Sequence, residues 1–175
     1  PLPAILLLLT AGTGIIDAVS ILGLGRVFVA NMTGNVVFIG FALAGAPGFS
    51  LVGSLVALAA FLVGAAAGGA LISRFGGHRG RLLRNGLIVQ LAMLLVALAL
   101  VIGWTGEWID QLVLGSAAFA LGVQNSIVRH LAVPDMTTTV LTMTLTGIAA
   151  DLRKRDIGTA LRRVVSVLAM LAGSV

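Results

Sequence analysis

Cysteine is absent from the chain, so neither a disulfide nor thiol chemistry is available to it. Charge is nearly absent too. Only 10% of the residues are Asp, Glu, Lys or Arg, against roughly 25% in a soluble domain. That is too little polar surface to cover a globule in water, and it excludes a water-soluble fold. No nucleophile–base pair, no phosphate-binding loop and no cluster at metal-ligand spacing appears, so no enzyme, cofactor or metal site is expected. The two histidines are isolated, His130 beside Arg129 and His78 in a basic loop. The net charge of +5 does not point to nucleic acid, because the basic residues sit in short loops between apolar runs, where they act as topology signals.

What remains is apolar: 59% of residues are hydrophobic and the mean hydropathy is +1.14. The runs are long and rich in Leu, Ala, Val and Gly, unlike the alternating ten-residue strands of a membrane barrel. A transmembrane helix needs about 20 apolar residues. The sequence predicts such helices over Leu2–Leu22, Leu51–Ile72, Leu87–Trp104 and Ile109–Val128, with another beginning near Val164. Two runs of about 15 residues, Met32–Ala46 and Met136–Ala150, would reach only about 22 Å as helices. Each follows a stretch with helix breakers, Gly23 and Gly25 before the first and Pro134 before the second. The first apolar run leads into Asp17 and further spans, so no cleavable signal is expected. The chain opens at Pro1 and stops at Val175 within an apolar run, and is expected to be a fragment.

The sequence repeats itself. ANMTGNVV (30–37) lies over PDMTTTVL (134–141), AGTGIIDAVS (11–20) over FALGVQNSIV (119–128), and ALAAFLVGA (57–65) over SVLAMLAGS (166–174). Gly14 falls on Gly122 and Asp17 on Asn125. Three matches in the same order, with polar residues coinciding, indicate a duplication, as in many transporters and channels. Charge then suggests orientation. Arg74, Arg79, Arg81 and Arg84 fill one loop, Arg153 to Arg163 another, and the loop TGEWID (105–110) is acidic. Putting both basic loops in the cytoplasm requires an even number of crossings between them. Helices 87–104 and 109–128 supply two, so 136–150 would enter and return on one side. The same rule makes 32–46 re-entrant and the two copies inverted. The alternative is that both short segments cross and one basic loop breaks the rule.

The expected fold is therefore all-α: one polytopic transmembrane bundle over 1–175, with repeat one at about 2–73, a connecting helix at about 87–104 and repeat two at about 109–175. Each repeat holds a broken or re-entrant half-helix. A half-helix that starts inside the bilayer directs unpaired N–H groups and partial positive charge into the space before it. Asn31 and Asp135 occupy the matched N-cap positions, with capping side chains expected. Inversion would bring the two starts together near the midplane, lined by Thr33, Asn35, Thr137, Thr138 and Thr139. Thr142, Thr144 and Thr146 either extend that lining or simply bond backbone. Asp17 is costly in a membrane. It either serves coupling or solute binding, or pairs with Arg26 or Arg129. Gln124 and Asn125 keep polarity in the second copy without charge. Gly64, Gly68 and Gly69 allow close helix packing, internal in the first instance, with a homodimer face as the alternative.

GIIDAVSILGLGRVFVANMTGNVV and LGVQNSIVRHLAVPDMTTTVLTMTLTGIAADL resemble the YoaK family of bacterial multi-pass membrane proteins, a domain of unknown function. The resemblance implies a bacterial inner membrane location and a longer family protein. Met143 stands where the family pattern implies a small residue. No substrate comes with the resemblance. The residues favour a transporter or channel for a small solute. Two positive half-helix ends favour an anionic or neutral polar solute, while Asp17 and Asp135 argue against an anion unless one is protonated. The rival expectation is a non-transporting scaffold or partner-binding subunit in the lipid bilayer.

Overall fold

The computed structural model of the chain describes residues 2–131, 141–154 and 157–174. Among these, every regular element is a helix: α1 (Leu2–Gly23), α2 (Met32–Leu43), α3 (Leu51–Phe75), α4 (Arg79–Gly103), α5 (Glu107–Leu131), α6 (Leu141–Lys154) and α7 (Ile157–Ser174). Five of the seven are long and apolar enough to cross a membrane, and α2 and α6 are shorter. α1 and α3 begin where the hydropathy places them. α4 begins at Arg79, eight positions before the expected Leu87. Arg79, Arg81 and Arg84 thus stand on the helix and not in a loop, as do Arg153, Lys154, Arg162 and Arg163 on α6 and α7. Arginine is a good helix former, and its long stem lets the charge reach water from the helix end.

α3 and α5 run parallel: Gly115 lies by Ala60, Gly64 by Phe119 and Gly68 by Ser126. α4 runs against α5, with Gly86 on Ile127 and Gln90 bonded to Gln124. α1 also runs against α5, through Leu6 with Val128 and Thr13 with Gln124. α1 and α4 therefore point one way, α3 and α5 the other. This gathers Arg74, Arg79, Arg81 and Arg84 at one end and Glu107 with Asp110 at the other. Trp104 and Trp108 are exposed at the acidic end, as an interfacial aromatic belt would be.

In lipid, helices associate through close packing and hydrogen bonds, not by escaping water. Glycine sets the two tightest seams. Gly64 faces the Phe119 carbonyl and Gly122 the Phe61 carbonyl between α3 and α5; Gly14 faces the Met170 carbonyl and Gly173 the Ala11 carbonyl between α1 and α7. Gly68 joins the first seam, whereas Gly69 has nothing within 4 Å of an added Cβ. Of the three expected packing glycines, two serve internally and Gly69 does not. α6 is tied to α7 by Asp151 and Arg163, 3.2 Å apart. The main apolar core joins Val27, Val29 and Ala30 to Ala57 and Phe61 of α3 and to Leu114, Ala118 and Leu121 of α5.

Between α1 and α3 the chain turns sharply at Gly25 (φ 81) and Arg26 (φ 56), consecutive residues in the left-handed region. It then descends along α1. The Ser20 hydroxyl donates to the Val27 carbonyl at 2.6 Å. Asp17 Oδ1 accepts the N–H groups of Val29 and Ala30, both at 2.8 Å. α2 starts there and climbs back, so that Gly23 to Gly25 and Ser50 adjoin the same surface as Glu107. The segment returns to the end of the bundle it left. Asp17 lies six positions before Gly23, so α2 begins about 9 Å inside that end at 1.5 Å per residue.

Candidate functional site

The descending segment has no helix of its own to satisfy its backbone, and side chains supply the partners. Asn35, fully buried, takes the Phe28 N–H on Oδ1 (2.9 Å) and donates Nδ2 to the Phe28 carbonyl (2.6 Å). One amide thereby does for Phe28 what a neighbouring strand would do. Asp17, 4% exposed, does the same for Val29 and Ala30 with one carboxylate oxygen. Its other oxygen, Oδ2, is buried and has no hydrogen-bond partner. Among the described residues it has no ion pair either. Arg26 instead lies 5.9 Å over the Phe49 ring, and Arg129 is exposed at the end of α5. The ion pair with Arg26 or Arg129, one of the two alternatives for Asp17, is not formed; backbone N–H donors meet the carboxylate instead, because the break brings them to it.

A cavity of ≈ 430 Å³ opens beside this carboxylate. Asp17 lines it from α1, Asn31 and Thr33 from the start of α2, Thr142 from α6 and Met170 from α7, with Phe28 and Phe38 as its aromatic wall. Those two rings stack at 5.5 Å. Asn31 is at the N-cap position as expected, but its side chain makes no capping hydrogen bond. With φ −87 and ψ 78 the residue is outside the extended geometry that aims an Asx side chain back at the helix. Backbone carbonyls serve the first turn instead: the Met32 N–H donates to Ala30 at 3.1 Å and the Gly34 N–H to Asn31 at 3.0 Å, which leaves the Asn31 side-chain amide beside the cavity.

The structure brings Asp17, Asn31 and Thr33 together at one cavity. It sets Asn35 behind them as a strut. Gln124 lies elsewhere: Gln90 Nε2 donates to its Oε1 at 2.6 Å, and its Nε2 donates to the Thr13 hydroxyl at 3.1 Å, a buried chain across α4, α5 and α1. Asn125 is half-buried on α5 and does not line the cavity. Asp135, Thr137, Thr138 and Thr139 lie outside the described residues, as does the Met143 side chain. The Thr stripe divides: Thr142 lines the cavity, Thr144 is buried, and the Thr146 hydroxyl bonds the Thr142 carbonyl. His130 sits by Gly76 at the basic end, away from the cavity, and His78 is exposed.

Sequence reasoning passed over Thr10, Thr13, Ser20 and Gln90, all buried. A signal was there. Thr10, Thr13, Asp17 and Ser20 fall on one helical stripe at spacings of three and four, the reverse of a soluble helix, whose apolar side faces inward. The Thr10 and Thr13 hydroxyls bond the carbonyls of Leu6 and Leu9 within α1.

Residues 5–175 match the family described as protein of unknown function DUF1275. The chain is 28% identical over 150 residues to the UPF0700 transmembrane protein YoaK of Bacillus subtilis (strain 168), a stretch covering 86% of this chain and 66% of that protein. The match thus spans slightly under two thirds of the relative's length. No solved structure matches the chain. Five helices able to cross a membrane and a transmembrane relative make this a multi-pass protein of the bacterial inner membrane, and the chain belongs to the DUF1275 family.

Proposed function

We propose that the protein carries a small polar solute across the membrane, as a transporter or channel, and that the solute binds in the cavity at the start of α2. One observation carries this reading: a carboxylate oxygen with no partner, buried within an apolar bundle, beside a cavity and an uncapped helix start. Such an oxygen is costly where water is scarce, and a bound donor offsets the cost. The helix start alone would favour an anion. The carboxylate opposes one, and Asp17 Oδ1 already answers two of the nearby N–H groups. The solute class that suits both is small and polar and offers a hydrogen-bond donor to Oδ2.

The inverted arrangement draws support from the glycine seams. Gly14 on Met170 and Gly122 on Phe61 are matched residues on matched residues, and so are Gly173 on Ala11 and Gly64 on Phe119. α1·α7 and α3·α5 are then one interface used twice. The return of residues 24–50 to the end they left supports the reading of α2 as re-entrant in a bilayer. The cysteine-free chain allows a direct test. Single cysteines at Ala46 and Thr105 are expected to react with an impermeant maleimide from outside the cell, and one at Gly77 only after permeabilisation. Reaction of Ala46 from the same side as Gly77 would mean that α2 crosses.

Flux tests the function. The full chain in liposomes is offered neutral amides and polyols, protonated amines, and carboxylates. At least one donor-bearing class is expected to move. Asn31→Ala removes a cavity amide that caps nothing, so stability should change by under about 0.5 kcal/mol, while flux falls about tenfold, the worth of one good hydrogen bond. The scaffold reading has Asn35 and Gln124 in its favour, since their polar atoms are used internally. It is the reading that survives if no solute moves and Asn31→Ala behaves as wild type in every respect.

A further inference from the structure

α1 and α4 both pack on α5 but not on each other. Their basic ends therefore stand apart over a cleft of ≈ 570 Å³. Its walls are apolar, Leu2 and Ile5 on one side and Leu83, Leu87 and Leu91 on the other, and Arg79 and Arg84 stand at its mouth. Both arginines are exposed, and among the described residues neither forms an ion pair. The first turn of α4 contains no acidic residue. The cleft thus pairs uncompensated positive charge with an apolar channel running from Leu83 to Leu91, about 12 Å along the helix.

We infer that this cleft is a binding site for an anionic phospholipid. The phosphodiester would lie between Arg79 and Arg84, and one acyl chain would run along Leu83, Leu87 and Leu91. Guanidinium groups bind phosphate oxygens in bidentate fashion, and basic pockets between transmembrane helices at the cytoplasmic face suit anionic headgroups. Inorganic phosphate would satisfy the arginines but leave the apolar walls uncovered. A zwitterionic lipid would cover the walls but bring no net charge. The cleft shares no lining residue with the cavity at Asp17, so it stands or falls independently of the transport reading.

Native mass spectrometry of the delipidated full chain tests it, with phosphatidylglycerol, phosphatidylcholine of the same acyl chains, and inorganic phosphate as separate titrants. Phosphatidylglycerol is expected to bind about tenfold more tightly than phosphatidylcholine, a preference that R79Q/R84Q removes and Arg74→Gln keeps. Leu87→Trp, which fills the channel without changing charge, should weaken both lipids and spare the difference between them. If the double variant does not fold, Arg84→Gln alone is expected to lower the preference. Equal binding of the two lipids overturns the inference. So does a preference insensitive to the arginine variants, or phosphate binding that matches the lipid. A dimer that crosslinks through Leu87→Cys would assign the cleft to a second copy and overturn it too.

Discussion

Asp17→Asn is expected to leave the protein folded and to lower solute flux at least about tenfold, whereas Asp17→Ala is expected to lose the fold as well. The difference follows from what each carboxylate oxygen does. Oδ1 holds the N–H groups of Val29 and Ala30 at 2.8 Å, and an amide oxygen can hold them equally. Alanine leaves two buried donors with no acceptor, at about 1–3 kcal/mol each, in surroundings with no water to replace it. A loss of about 2–6 kcal/mol is a large share of a typical 5–15 kcal/mol stability. Oδ2 is the buried oxygen with no partner on a residue that lines the cavity, and Asn replaces it with an uncharged amide donor. The residue at the matched position of the second copy is an amide, Asn125. Thermal unfolding in detergent and flux in liposomes, measured on the same preparations, separate the two effects. Full flux in Asp17→Asn would confine the carboxylate to holding the backbone. An Asp17→Ala variant as stable as wild type would remove even that role.

The helices were legible because lipid imposes a simple rule: a span must be long, apolar and internally bonded. The break at Gly25 and the short α2 were legible for the converse reason, since glycine and polar residues amid apolar runs mark where the rule is suspended. Partner choice was harder to read. Asn31 and Asn35 look alike as letters four positions apart, yet one lies open to the cavity and the other clamps Phe28. Helix phase and the path of the preceding chain decide between them, and neither is a property of the residue. Asp17 shows the same limit. Charge alone suggested Arg26 or Arg129, but the left-handed turn at Arg26 sends its guanidinium to Phe49 and delivers backbone N–H groups to the acid instead. The buried link from Gln90 to Gln124 to Thr13 joins three helices far apart in sequence, and only the packing of α1 and α4 on α5 reveals it.

The glycine seams carry the second large expectation. A methyl group at Gly64 would overlap the Phe119 carbonyl, and one at Gly122 the Phe61 carbonyl. Both obstacles are backbone, so neither can rotate away, and α3 must move off α5. Overpacking of this kind costs about 1–3 kcal/mol for a methyl and more for larger groups. Gly64→Ala and Gly122→Ala should therefore each lower the unfolding midpoint clearly, and Gly122→Leu should prevent a folded product. Gly69→Ala is the control on the same helix. Nothing lies within 4 Å of its added Cβ, and alanine is favoured over glycine in a helix by about 1 kcal/mol, so that variant should be as stable as wild type or more so. The duplication extends the expectation to α1·α7. Gly14 meets the Met170 carbonyl as Gly122 meets that of Phe61, so Gly14→Ala should cost about as much as Gly122→Ala. Similar losses would mean that one packing solution serves both halves, and that α2 and α6 are hung on equivalent frames. A loss at Gly122 with none at Gly14 would break that equivalence, and with it the reason for expecting the start of the second short helix to face Asn31 across the cavity.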